Sequence, residues 1–143
     1  MDTTPLGLML GSLLGWSVAG IAALFIARLA YRLITPFNER EELIRDQNAA
    51  VGISQGLFMV GAAIILHGLL TGDPLYPVWW QELGYIVSAY LLSLALLWLG
   101  RIALKKLVRF DLDTQIHEHD NVAVGWLEGC SYLGFAIVVH SAL

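Results

Sequence analysis

Polar side chains recur at matching positions in two apolar stretches of this chain. Six of them pair at a separation of 73 residues, namely Asn48, Gln55 and His67 in the first stretch and Asn121, Glu128 and His140 in the second. At about 100° per residue, each set of three lies on one helical stripe roughly 120° wide. Because lipid penalises polar groups, we expect both polar stripes to face protein or a water-filled cavity.

Glu128 is the strongest candidate for chemistry among these side chains. Its carboxylate lies in an apolar stretch that contains no other charged residue. We expect a largely protonated Glu128 at neutral pH, because a low-dielectric environment disfavours the charged form, with Gln55 as its hydrogen-bond partner. This pair could be purely structural, or it could handle protons or cations, since a carboxylate within a membrane is a functional-site hypothesis by default.

His67 and His140 could bind haem or a transition metal as a symmetric pair. They lie about 28 Å of helical rise beyond Asn48 and Asn121, hence near the outer surface of the membrane. The alternative is structural hydrogen bonding or solvent exposure, and on that interpretation no cofactor is predicted. Asn48 and Asn121 should cap their helices, cross-link the two halves of the chain or line a polar vestibule.

The other motifs give little support for catalysis or nucleic-acid binding. Residues 117–120 (His-Glu-His-Asp) suggest a metal site, but alternate residues diverge on a helix, so a polar cytoplasmic turn is the better interpretation. No nucleophile elbow, phosphate-binding loop or pair of catalytic carboxylates is present, which argues against an enzyme. The net charge of −4 and the lack of a basic patch with interleaved aromatics argue against a nucleic-acid partner.

The elements that must position these side chains are membrane helices. Apolar residues make up 57% of the chain, charged residues 14%, and the mean hydropathy is +0.68. Four stretches, residues 6–30, 49–70, 82–100 and 122–143, are each long enough to cross about 30 Å of hydrocarbon. Residues 1–73 and 74–143 repeat one another. The sequence therefore predicts an all-α membrane protein whose four transmembrane helices form two parallel two-helix repeats.

The basic residues predict the topology. All eight Lys and Arg residues lie in two segments, residues 28–45 and 101–109, which flank the connection between the first and second helices and that between the third and fourth. The positive-inside rule places both of these connections in the cytoplasm and both termini in the periplasm. The same charge order argues against a signal peptide in the first apolar stretch.

Small residues should hold the helices together, because lipid supplies no hydrophobic drive between them. The candidates are glycines at regular spacing: Gly7, Gly11, Gly15, Gly52, Gly56, Gly125 and Gly129. The first three begin a ladder along the first helix, and the others form one Gly-x-x-x-Gly pair in each repeat. We expect Gly52 and Gly125 to make tight contacts with each other or with the first and third helices. The abundance of such surface predicts a homo-oligomer.

The first connection contains a candidate partner-binding junction, made of Thr35, Pro36, Asn38 and Glu39. Its proline should end the first helix, because the residue before proline is disfavoured in the α conformation. Asn38 should then cap a short amphipathic helix over residues 39–47. Asp111 or Asp113 could start the equivalent helix of the second repeat.

The junction and its second copy resemble a known family. The stretches ITPFNEREELIRDQNAAVGISQG and IHEHDNVAVGWLEG resemble the YjfL-like family of bacterial inner-membrane proteins, a duplicated two-helix domain of unknown function. The matching positions are Thr35, Pro36, Asn38, Glu39, Asn48, Ala50, Gly52, Asn121, Ala123 and Gly125. The resemblance implies an inner-membrane protein of envelope maintenance or membrane stress, with a phage-shock-type or other membrane-associated partner. It implies no mechanism.

Two classes of function follow from these features. The first is a small non-catalytic membrane protein that oligomerises and docks a cytoplasmic partner through its two connections. The second is a small channel or carrier that moves protons or cations along the polar stripe around Glu128. A haem- or metal-binding protein that uses His67 and His140 is a weaker third candidate.

Overall fold

Six helices occur in the part of the chain that the computed structural model describes, residues 4–143 with side chains from Leu6 onward. They are α1 (Thr4–Ile34), α2 (Glu39–Ile44), α3 (Ala49–Thr71), α4 (Trp79–Leu107), α5 (Leu112–His117) and α6 (Val122–His140). The order of long, short and long helix thus occurs twice. The four long helices are long and apolar enough to cross a membrane, which confirms the predicted fold class.

Two of the long helices run further than the apolar stretches predict. α1 continues to Ile34 and α4 to Leu107, so their last turns carry basic side chains. Such long side chains can keep their charge in water while their stems cover apolar surface. α1 ends directly before Thr35 and Pro36, as the proline predicts.

α3 and α6 form the centre of the fold and run parallel to each other. Their contacts keep one register from end to end, with Ala50 beside Gly125, Gly61 beside Ala136 and Gly68 beside His140. α1 packs on α3, α4 packs on α6, and α4 also contacts α3. A buried aromatic cluster of Tyr31, Phe58 and Tyr132 fills the space between them, and its last two rings meet edge to face at 4.9 Å.

Gly125 and Gly129 are the glycines through which α6 approaches α3. A Cβ atom at Gly125 would lie 2.6 Å from the Ala50 carbonyl oxygen, and one at Gly129 would lie 2.9 Å from Leu57 Cβ. Neither position has room for a side chain, because the atom at the first is backbone and the second faces the stem of a packed leucine. A larger residue at either position would have to separate the two central helices.

The glycines of the first repeat behave differently. A Cβ atom at Gly52 would only make ordinary contact, at 3.4 Å, with the Leu43 side chain of α2, so the predicted tight contact with Gly125, α1 or α4 is wrong. A Cβ atom at Gly56 would have no heavy atom within 4 Å, and the same holds for three glycines of α1, namely Gly7, Gly11 and Gly15. Packing of these open glycines against another subunit stays a prediction.

Both connections fold back on the long helices in the same way. The side chains of Asn38 and Asp111 cap α2 and α5, as predicted, by accepting hydrogen bonds from backbone amides. α2 ends at Ile44, earlier than predicted, and Gln47 then adopts a left-handed φ of 53°. Its counterpart Asp120 has a φ of 44°, so the chain bends alike before α3 and before α6.

Candidate functional site

Glu128 is completely buried where α3, α4 and α6 meet. Arg101 Nε of α4 donates to one of its carboxylate oxygens at 2.7 Å, and the Ser54 hydroxyl of α3 donates to the other. The Arg101 side chain is only 4% exposed, so the ion pair is buried on both sides. Glu128 therefore joins three helices at one point.

Gln55 is not the partner of Glu128. Its amide nitrogen donates to Glu39 at 2.6 Å instead, so the predicted pairing is wrong. The charge partner comes from α4, where Arg101 lies at the level of Glu128 but far from it in the sequence. The expectation of a protonated Glu128 depended on the lack of such a partner, and it loses that basis here.

The network continues through Arg101 to the second connection. Arg101 Nη2 donates to Asp113 Oδ1 at 2.5 Å, and Nη1 donates to the Ile34 carbonyl at 3.3 Å. Lys105 pairs with the other carboxylate oxygen of Asp113. Burial alone would raise the pKa of Asp113, but hydrogen bonds and positive charge from Lys105 and Arg101 hold that pKa below its usual value. Two acids and two bases thus balance each other at this site.

Two hydroxyl groups extend the network toward the centre of the bundle. Tyr31 of α1 donates to Ser54 Oγ at 3.1 Å, so Tyr31, Ser54 and Glu128 form a buried chain of hydrogen bonds. The Tyr132 hydroxyl lies nearby on α6 and has no hydrogen-bond partner. Beyond these groups the core is apolar, since the rings of Phe58 and Tyr132 pack directly together.

The first repeat holds a smaller network at the equivalent place. Arg28 Nε pairs with Glu39 Oε1 at 3.0 Å, and Gln55 donates to the other oxygen of Glu39. Arg28 and Gln55 are the repeat counterparts of Arg101 and Glu128. One base therefore balances one acid in the first repeat, whereas Glu128 adds a second acid in the second repeat and requires the second base, Lys105.

Asn48 caps α3 and also joins the two connections. Its side-chain oxygen accepts from an amide in the first turn of α3, while its amide nitrogen donates to Glu42 at 3.0 Å and to the Ile116 carbonyl at 2.9 Å. Two of the predicted roles are thus combined in one residue. Asn121 caps α6 in the same way, but its amide donates within its own repeat, to Gln115 at 2.9 Å.

His67 and His140 lie together at the opposite end of α3 and α6. Nδ1 of His67 is 3.5 Å from Nε2 of His140, and the rings stack with centroids 5.7 Å apart. Two imidazoles could ligate one transition metal ion. Within the described residues no third His, Cys, Asp or Glu joins them in a metal-binding group. Metal or haem ligation by the pair stays a prediction.

Half of the predicted partner-binding junction is buried. Thr35 donates its hydroxyl to the Tyr31 carbonyl, and Glu39 belongs to the first network, so neither can contact a partner and that part of the prediction is wrong. Pro36 and Asn38 are exposed. The exposed surface of this connection is a shallow groove lined by Asn38, Arg40, Glu41, Ile44 and Arg45.

Sequence reasoning missed four side chains of the two networks, namely the bases Arg28 and Arg101, the hydroxyl donor Ser54 and the second acid Asp113. The internal repeat contains a signal for the two arginines, because they align with each other near the carboxyl-terminal ends of α1 and α4. The repeat contains a basic position, Arg28 and Arg101, and a polar position, Gln55 and Glu128, within apolar helices. Such groups usually pair with each other, so the repetition indicates contacts between helices. Ser54 has no counterpart of this kind and could not have been found in this way.

The comparisons with known proteins identify a family. No curated protein and no solved structure is significantly similar to this chain. The family model described as Domain of Unknown Function (DUF350) matches residues 5–143, which include both repeats and both ionic networks. Because this match covers nearly the whole chain, the protein belongs to the DUF350 family.

Proposed function

We propose that this chain is a non-catalytic scaffold of the bacterial inner membrane that holds two cytoplasmic connections in a fixed arrangement for a partner. The observation that carries the proposal is the internal pairing of its two most buried acids, Glu39 with Arg28 and Gln55, and Glu128 with Arg101 and Ser54. Carboxylates whose oxygens all have protein partners fix helices against each other. They leave no free group to act on a substrate.

The pairing fixes the connections because each network includes an acid on a short helix. Glu39 is the first residue of α2, and Asp113 lies in α5. The two short helices are also joined directly, since Glu42 Oε1 lies 2.6 Å from Nδ1 of His117. α2 and α5 therefore form one surface that is attached to both repeats.

Exposed charges on α2 supply the means to bind a partner. Arg40, Glu41 and Arg45 all face solvent, and the last two form an ion pair at 2.8 Å. Exposed pairs of this kind add little stability, so they are free to exchange partners. The YjfL-like resemblance supports a role in envelope maintenance or membrane stress, with a phage-shock-type or other membrane-associated protein as the partner.

Site-specific photo-crosslinking in living cells tests this proposal. A photoreactive residue in place of Arg40 should give a discrete adduct with a second protein, while the same residue in place of Thr71, at the opposite end of the helices, should give none. Asn38→Ala, which removes the cap of α2, should weaken the adduct. Lack of any adduct from Arg40, Glu41 and Arg45 would contradict docking through this connection.

A small proton or cation carrier is the second candidate, favoured by the buried chain of Tyr31, Ser54 and Glu128. Purified protein in liposomes with an imposed ion gradient separates the two functions. The scaffold should show no flux above empty liposomes. Flux that disappears in the charge-balanced variant Glu128→Gln/Lys105→Gln would support the carrier and contradict the scaffold.

A haem- or metal-binding protein is the weaker candidate, supported by the proximity of His67 and His140. The absorption spectrum and metal content of the purified protein test it. A haem band, or about one metal ion per chain that is lost in His67→Ala, would establish ligation. A colourless and metal-free protein that also fails to bind added Zn²⁺ would exclude it.

A further inference from the structure

We propose that copies of this chain join head to tail in the membrane, with α6 of one copy packed on α3 of the next. The inference rests on the oligomeric scaffold proposed above and identifies its interface and its partner, a second copy of this chain. It follows from how the two repeats meet within one chain.

The two central helices use different faces for their mutual contact. α3 presents Ala50, Ser54, Leu57 and Gly61 to α6. α6 presents Gly125, Glu128, Gly129 and Ala136 to α3. In the repeat, these four residues correspond to Gly52, Gln55, Gly56 and Ala63 of α3. At about 100° per residue these two sets point to nearly opposite sides of a helix.

This difference determines the kind of interface. If a twofold axis related the repeats, both would use the same face, and the contact would be closed. The observed contact is heterologous, because one face of the first repeat meets the other face of the second. A heterologous contact leaves one unused face at each end, and these two faces are complementary to each other.

The unused face of α6 is open, and that of α3 is open in its later turns, while its first turns are covered at Gly52 by Leu43 and at Gln55 by Glu39. On α3, Gly56 and Ala63 are exposed, and on α6, Ala123, Cys130 and Gly134 are exposed. A Cβ atom at Gly56 or Gly134 would have no heavy atom within 4 Å. Each of these five residues is the repeat counterpart of a residue that takes part in the α3–α6 contact. One copy of each contact surface is therefore used within the chain, where α3 meets α6, and the second copy of each is left for a neighbouring chain.

The contact within the chain predicts the contact between chains. Leu57 packs on Gly129, where a Cβ atom would lie 2.9 Å from Leu57 Cβ. The counterparts of these two residues are Cys130 and Gly56. Cys130 of one copy should thus pack on Gly56 of the next copy, at the same depth in the membrane.

Exposed apolar side chains on the two connections fit the same arrangement. Within the chain, Phe37 stacks on His117 across the two repeats, with ring centroids 5.4 Å apart. Their counterparts are Phe110 and Ile44, which are 44% and 69% exposed. The contact between copies brings these two side chains together and covers both.

The same contact between copies gives the Asn121 side chain a further hydrogen-bond acceptor. Asn48 reaches across the repeats to the Ile116 carbonyl, while the Asn121 amide donates within its own repeat. The counterpart of Ile116 is Leu43, so the Asn121 amide of one copy should face the Leu43 carbonyl of the next. A lipid chain could cover the small residues, but it could not supply this acceptor.

Disulfide cross-linking in native membranes tests the inference with the native cysteine. Gly56→Cys should form an intermolecular bond with Cys130, because the internal contact places the equivalent Cβ atoms 2.9 Å apart, and two copies that separate by about 1 Å would reach the roughly 3.8 Å of a disulfide. A Cβ atom at Gly56 meets nothing within the chain, so the variant should fold. Oxidation should then give a ladder of dimers, trimers and larger species on a non-reducing gel.

Three controls isolate the interface. Neither single cysteine should give a ladder. This applies to wild type, which has only Cys130, and to Gly56→Cys/Cys130→Ala, which has only the new cysteine. Leu99→Cys with native Cys130 should give none either, because Leu99 faces outward on α4 near the same depth. A Gly56→Cys variant that stays monomeric, or stops at dimers, would overturn the head-to-tail arrangement. This cross-linking needs no other protein, whereas the adduct from Arg40 does. Either result can therefore fail while the other holds, so the failure of the head-to-tail contact can be told apart from the failure of partner docking.

Discussion

Replacing Glu128 with glutamine should destabilise the protein strongly, because the carboxylate is fully buried against a buried guanidinium. Glutamine keeps the shape of the side chain and can still accept from Arg101, but it leaves the guanidinium without its nearest negative charge. Removing one partner of a buried ion pair typically costs about 3–5 kcal/mol. Asp113 still contacts Arg101, so we expect about 3 kcal/mol, at the lower end of that range.

A second substitution makes the origin of this loss testable. After Glu128→Gln, two bases, Arg101 and Lys105, share one acid, Asp113. Lys105→Gln alone should cost less than about 1 kcal/mol, because the Lys105 side chain is 39% exposed. Added to Glu128→Gln, it restores the charge balance and copies the first repeat, where one arginine and one acid meet a glutamine. We expect it to recover roughly 1–2 kcal/mol, a coupling typical of charges in one network.

The assay is a double-mutant cycle on the purified protein in mild detergent. Unfolding by added SDS, followed by circular dichroism, gives the change in unfolding free energy for both single variants and the double variant. If Glu128→Gln unfolds at the same SDS fraction as wild type, Glu128 carries no charge that matters to the fold. Strictly additive effects of the two substitutions would refute the charge-balance argument.

Three further predictions test other parts of the structure. Because the pKa of Asp113 is lowered in the folded protein, its carboxylate stabilises the fold above its unfolded pKa of about 3.9. This contribution is lost as the pH falls through the lower folded pKa, so Asp113→Asn should flatten the acid limb of a curve of stability against pH. Gly125→Ala should reduce the yield of folded protein because its Cβ would lie 2.6 Å from the carbonyl oxygen of Ala50, and a normal yield would show that α3 can move away. In intact cells, an impermeant thiol reagent should label Thr71→Cys and spare Arg40→Cys, each introduced into a variant that lacks the native cysteine. The reverse pattern would show that the predicted topology is inverted. A similar probe at Asp2 would test the amino terminus, which lies outside the described residues.

The fold could be predicted from the sequence because its signals are local. Apolar length marks the four long helices, a proline ends α1, and asparagine or aspartate caps precede four of the other helices. The 73-residue repeat also places His67 and His140 at equivalent positions of α3 and α6, and their rings lie together in the structure. Each of these conclusions depends on residues that are neighbours in the chain or exact counterparts in the repeat.

The candidate site could not be predicted fully because its pairs break the repeat. Pairing Glu128 with Gln55 assumed a twofold relation, whereas the heterologous contact places Ser54 opposite Glu128. Gly52 fails for the same reason, since the face of α6 that packs tightly on α3 corresponds to a face of α3 that points away from α6, where Gly52 meets Leu43 of α2. Which face of a helix is used depends on the three-dimensional relation of the repeats, and periodicity alone does not contain it.

The uneven distribution of polar contacts has a consequence for motion. Both ionic networks, the caps of α3 and α6 and the contacts of Asn48 all lie in the half of the bundle next to the connections. The rest of the bundle is held by apolar packing, by the stacked histidines and by single hydrogen bonds, such as that from the Tyr90 hydroxyl to the Ala23 carbonyl, with no ion pair among the described residues. Local opening follows the least stabilised segments, so the far ends of the long helices should separate and exchange amide hydrogens first. The bundle would then behave as a hinge, stiff at the end that carries the two connections and loose at the opposite end.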